Sequence, residues 1–132
     1  MERLCERVCL AEQALNAFKE VLKIERPTAI ERDAALHRFA FTFDAVFKAS
    51  RLMLYEVEGL NVFSPKGVVR TCHEVGLFDD NENRNALQMV VDRHLTALAY
   101  EEALADEIYG RLKLYFSLLQ KWLKGIQAKT TA

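Results

Sequence analysis

Apolar residues recur at steps of three and four along almost the whole chain, the spacing that gathers side chains on one face of an α-helix. Leu4, Val8, Ala11, Leu15, Phe18 and Leu22 make the first such stripe, with Glu, Lys and Gln on the remaining faces. That helix is predicted to end near Pro27. Thr28 followed by Glu31 has the spacing of a capping box and opens a second helix, along which Leu36, Ala40, Phe43, Phe47, Ser50 and Leu54 repeat toward Gly59. Its length is about 45 Å if it is continuous at 1.5 Å per residue. Ser64-Pro65 pairs an N-cap residue with the residue best tolerated at the first helical position, and a short third helix follows through Val68, Val69, Cys72 and Val75 to a stop at Gly76. Asp79-Asp80-Asn81 starts a fourth helix with the stripe Leu87, Val91, Leu95 and Leu98. A fifth runs from about Glu101 through Leu104, Ile108, Leu112, Tyr115, Leu119 and Trp122, with Gly125 as its terminator.

No segment alternates with the period of a strand. Each apolar stripe needs another element to cover it, and short connections favour antiparallel neighbours, so the expected fold is all-α: an antiparallel four- to five-helix up-and-down bundle. The 132 residues suit one domain, taken as 1–126, followed by a polar tail at 127–132 that is expected to fray. Phe39, Phe41, Phe43 and Phe47 occupy more than one face of the second helix. Two readings fit that excess: a dimer or partner interface, or a helix buried at the centre of the bundle.

Charge narrows the partners. Eighteen basic and 19 acidic residues leave a net charge of −1, so no global field draws the chain to nucleic acid, and contact with RNA would need a local patch. Glu2, Arg3, Glu6 and Arg7 interrupt every apolar run of the opening segment, which therefore lacks the core of a signal peptide, and nothing later reaches membrane-spanning length. Three cysteines, Cys5, Cys9 and Cys72, lack CxxC spacing, which fits a cytoplasmic location without disulfides. Cys5 and Cys9 are four apart on one helix face, but no second pair completes a tetrahedral site, and burial as small apolar side chains is the preferred reading. His73 likewise has no clustered ligands, and His37 is placed on a solvated helix flank. No metal or cofactor is expected. P-loop, GxGxxG, HExxH and GxSxG patterns are all missing, which leaves independent nucleotide hydrolysis, redox and esterase chemistry without support.

Three collinear stretches carry a family resemblance. Glu31-Arg32-Asp33-Ala34-Ala35-Leu36-His37-Arg38-Phe39 with Phe41-Thr42-Phe43-Asp44 and Lys48 resembles the "RDAxxxRFxFTFE…xWK" signature of the nucleotidyltransferase substrate-binding subunits, a branch of the HEPN superfamily. Ser64-Pro65-Lys66 through Val69-Arg70 to Gly76-Leu77-Phe78 is similar to that branch's "SPRxVIRxAxxxGLI". Asp92-Arg93 with Leu95-Thr96 and Tyr100-Glu101-Glu102 is similar to its "DRNLTSHTYDE". The resemblance implies a helical bundle, usually a homodimer, that partners a separate minimal nucleotidyltransferase in a toxin–antitoxin-like module. Relatives with a full Arg-x4-His-x-Tyr motif are metal-independent ribonucleases, silenced when the partner transfers AMP from ATP to the motif tyrosine. The nucleotidyltransferase's own Gly-Ser turn and Asp-x-Asp pair are not in this sequence, so ATP chemistry is assigned to the partner.

The chain departs from that motif at one position. Counting from Arg93, the motif histidine falls on Leu98, which cannot move a proton, and His94 follows the arginine directly. Losing a general acid–base costs about 10² to 10⁴ in rate. The favoured expectation is therefore a non-catalytic binding or regulatory subunit, with Tyr100 as the AMP acceptor that the resemblance implies. The alternative is an atypical ribonuclease acting on RNA through Arg93 and His94. His94 is otherwise read as half-buried beside the Val91–Leu98 stripe. Arg93 and Tyr100 are seven apart, two turns along one face if the helix continues, and a salt-bridged arginine with a tyrosine packed at the rim is the equal alternative for that pair.

Overall fold

The computed structural model describes residues 2–131. Among them are six α-helices and one 3₁₀ turn: α1 (Glu2–Leu22), α2 (Ala29–Glu56), α3 (Pro65–Glu74), α4 (Asp80–Leu95), the 3₁₀ turn (Thr96–Leu98), α5 (Glu102–Tyr109) and α6 (Leu112–Thr131). The described residues contain no strand, and the all-α bundle expected from periodicity is the observed architecture. No described helix is long and apolar enough to cross a membrane.

The boundaries follow from local chemistry. Thr28 accepts from the Glu31 N–H while the Glu31 carboxylate accepts from the Thr28 N–H, and Asp79 and Glu82 make the same reciprocal box at α4. Ser64 caps α3 in front of Pro65. The chain leaves α3 through Gly76, whose φ of +92° is a conformation that L side chains resist, and the Leu77 N–H then closes back on the Cys72 carbonyl.

The second helix is the axis of the bundle, packed by α1 and α6 along its length and by α3, α4 and α5 at the sides. It buries side chains on several faces for that reason, and central burial accounts for Phe39 and Phe43. Phe39 stacks on Tyr115 and packs against Phe18, while Phe43 meets Trp122 edge-on. Phe41 and Phe47 are only half-buried. Polar side chains on this central helix are satisfied across it. Thr42 donates to the Ala14 or Arg38 carbonyl, Arg38 donates to the Ala17 carbonyl, and Ser50 accepts from the Trp122 indole at 3.0 Å beside the Cys72 thiol. Burial pushes that thiol up from its ordinary pKa. Arg32, also buried, binds Glu102 and Asp106 and thereby holds α5 against the start of α2.

Several expectations are corrected. The predicted fifth helix is two, broken at Gly110-Arg111, where the arginine turns to the Asp92 carboxylate. Gly125 does not end α6 but lies within it. A Cβ there would sit 3.0 and 3.2 Å from Leu77 carbons, so the glycine admits the close approach of the α3–α4 connection. The segment expected to fray at 127–132 is helical as far as Thr131, with residue 132 outside the described range. Ile126 is fully buried, Gln127 donates to Glu12, and Lys129 pairs with Glu58, so α6 is tied to both α1 and the end of α2 at this point. On α4 the buried face is Ala86, Met89 and Asp92, rotated about one residue from the predicted leucine stripe. Leu87, Val91 and Leu95 are half-buried and Leu98 is 46% exposed. A carboxylate occupies the interior because it is fully bonded there. Cys5 and Cys9 are exposed, since the α1 stripe through Leu4, Ala11, Leu15 and Phe18 passes one residue to the side of them; Cys72 alone is buried.

Candidate functional site

Asp92 and Arg93 are neighbours in sequence, and the 100° step of the helix sends them in different directions. Asp92 is fully buried and accepts from Arg111 Nε (2.7 Å) and Nη2 (3.0 Å), from the Tyr115 hydroxyl (2.5 Å) and from Gln88 (3.2 Å). Burial, and then the bond to Asp92, holds the Tyr115 phenol well above its ordinary pKa, while the same carboxylate raises the Arg111 guanidinium. This network locks the last turn of α4 to α6.

Arg93 emerges on the outer side, its side chain one-third exposed. Its guanidinium forms a fork with Asp44 of α2, Nε to Oδ1 at 3.0 Å and Nη2 to Oδ2 at 2.8 Å, and Nη1 donates to the Thr96 hydroxyl. The bonds it donates to Asp44 push the guanidinium further up from its ordinary pKa. Two-point contact fixes the plane of the arginine as well as its charge.

Helix α4 stops at Leu95, so the continuous helix that would align Arg93 with Tyr100 is not formed. Thr96 turns its hydroxyl back to the Arg93 carbonyl at 2.7 Å, and the 3₁₀ turn redirects the chain. The redirected chain nevertheless brings Tyr100 to the same place. A hollow of about 480 Å³ is bordered by Arg93 and Asp44, by Tyr100, and by Asp33, His37 and Phe41 of α2. Tyr100 is 79% exposed there, its hydroxyl open to a reaction partner. Within the single chain Tyr100 is exposed, and the salt-bridged arginine of the alternative reading is present.

His94 opens elsewhere. It is exposed rather than half-buried, and it borders a second, more apolar hollow of about 810 Å³ with Phe43, Phe47, Val91 and Leu95. The Arg93–Asp44 pair borders both hollows. Leu98, at the motif histidine position, lines neither. The histidine that does share a hollow with Arg93 and Tyr100 is His37, whose ring meets Phe41 edge-on. It lies on the solvated face expected of it, but its nearness to Tyr100 was not legible, because 63 residues of sequence separate the two and only the tertiary fold closes the gap. His73 hydrogen-bonds Asp80, and no group of three metal-ligating side chains occurs among the described residues.

Residues 6–128 match the family described as "Nucleotidyltransferase substrate binding protein like". No curated protein matches the chain. Among solved structures, a crystal structure of a protein from Thermus thermophilus is similar, with 48% identity and a TM-score of 0.85 over 88% of this chain and 98% of that one.

Proposed function

The chain belongs to the nucleotidyltransferase substrate-binding protein family, and from that premise we propose that it is the non-catalytic, regulatory partner of a minimal nucleotidyltransferase in a toxin–antitoxin-like pair, with Tyr100 as the acceptor of an AMP group. The observation that carries this reading is the hollow shared by Arg93 and the open hydroxyl of Tyr100. In the transfer, the Tyr100 oxygen attacks the α-phosphorus of ATP, the bond to the β-phosphate oxygen breaks, and pyrophosphate leaves as the phenol gives up its proton. The product carries one added negative charge beside a guanidinium already held in place, which favours a compact modified state. The half-buried Val91 and Leu95 border an apolar hollow with Phe47, a surface suited to a homodimer contact.

The test is to incubate the purified chain with the nucleotidyltransferase encoded beside it, Mg²⁺ and ATP, and to follow intact mass and the modified peptide. One adenylyl group on Tyr100, absent from Tyr100→Phe, is expected. Modification at the comparably open Tyr55, or no complex between the two proteins, would remove the proposal.

The second reading, a metal-independent ribonuclease, rests on Arg93 and His94 bordering one hollow. It requires RNA cleavage without metal that both Arg93→Ala and His94→Ala abolish. The binding-subunit reading expects no cleavage above background from folded, dimeric protein.

A further inference from the structure

At the opposite end of α2 from Tyr100 lies a surface whose chemistry differs from the rest of the chain. Arg3 and Arg7 stand one turn apart on α1, and Lys48 and Arg51 stand one turn apart on α2. All four border a single hollow of about 500 Å³, and no carboxylate borders it. A chain of net charge −1 thus carries four cations around one concavity. Two aromatic rings complete the hollow: Tyr55, 60% exposed, and Phe63, 63% exposed. Arg51 donates from Nε to the Val62 carbonyl and lies 4.3 Å over the Phe63 ring, which sets both side chains in place before any ligand arrives.

We propose that this hollow is a docking site for single-stranded nucleic acid, most directly an RNA strand. Cations spaced along a groove track phosphates, and open aromatic faces accept unstacked bases whatever their sequence. A duplex would present phosphates without free base faces and would leave Tyr55 and Phe63 uncovered. The site is distinct from the Arg93–Tyr100 hollow, since the two share no lining residue, although Asp44 of one and Lys48 of the other stand one turn apart on α2. The proposal therefore stands or falls apart from adenylylation of Tyr100.

The test is fluorescence anisotropy of a labelled 12-nucleotide RNA with the full chain over a series of salt concentrations. Four phosphate contacts at about 0.7 each give an expected log–log slope near −3. The double variant Arg7→Ala, Lys48→Ala should bind more weakly with a slope shallower by about 1.4. Tyr55→Ala with Phe63→Ala should bind at least about five-fold more weakly with the slope retained. Lys48→Glu, at an exposed position, provides a second charge variant should either double variant lose helical circular dichroism. Lys113→Ala, which removes an exposed cation that does not border this hollow, should bind as wild type does. The proposal is overturned if no RNA binds, if folded variants bind like wild type, or if an RNA duplex, ATP or poly-glutamate competes as well as the single strand.

Discussion

Replacing Tyr115 by Phe removes one oxygen from the interior and tests whether the buried Asp92 network holds α4 to α6. The ring keeps its stacking on Phe39, 5.4 Å between centroids, so the loss is the hydrogen bond to a fully buried carboxylate. A bond to a charged group contributes about 1.5–3 kcal/mol, and the carboxylate keeps its bonds from Arg111 and Gln88. For a domain of this size each kcal/mol corresponds to about 3–5 °C, so Tm should fall by about 5–15 °C at pH 7. The pH dependence is the sharper readout. Tyr115 has its pKa raised on folding, so its contribution is complete below the ordinary tyrosine value of about 10 and is lost as pH rises toward the higher folded value. The variant has no proton to lose at this position. Urea titrations followed by circular dichroism between about pH 8 and 11.5 should show the gap between wild type and Tyr115→Phe narrowing above about pH 10. A variant as stable as wild type at pH 7, or two parallel curves across that whole range, would refute the reasoning.

Three other substitutions probe separate features. Gly125→Ala gains about 1 kcal/mol of helix propensity but pushes a Cβ to within 3.0 Å of Leu77, an overpacking cost of about 1–3 kcal/mol, so calorimetry should find the protein destabilised by up to about 2 kcal/mol. Gly76→Ala meets open space yet must adopt a φ of +92°, and denaturant unfolding should register a loss of about 1 kcal/mol. The Glu102 carboxyl is held below its ordinary pKa chiefly by the bond from Arg32, so its contribution is present above about pH 4.5 and fades as pH falls; acid unfolding of Glu102→Gln should be correspondingly less steep.

The sequence was most legible where one side chain acts on its own helix. The box at Thr28, the helix start at Asp79, the Ser64-Pro65 start and the turn at Gly76 all depend on neighbours within four residues, and each is observed where it was read. Legibility failed where a distant partner decides the outcome. Periodicity assigned the inner face of α4 to leucines because it cannot foresee that Arg111 and Tyr115 satisfy a buried Asp92. Gly125 looked like a terminator because the reason for it, Leu77, lies 48 positions earlier. At the candidate site Arg93 and Tyr100 do border one hollow, but through a broken helix rather than a continuous one, and Asp44 and His37 join them from α2 by way of the fold alone.

A single peptide bond separates the carboxylate anchored in the core from the guanidinium that borders the hollow. Arg93 thus takes its coordinates from the interior rather than from a loop, and sliding or rolling α4 would first have to unseat Asp92. Substitutions made only to repack the protein around Tyr115 would act as remote adjusting screws on the site, shifting its aim without altering any residue that faces solvent.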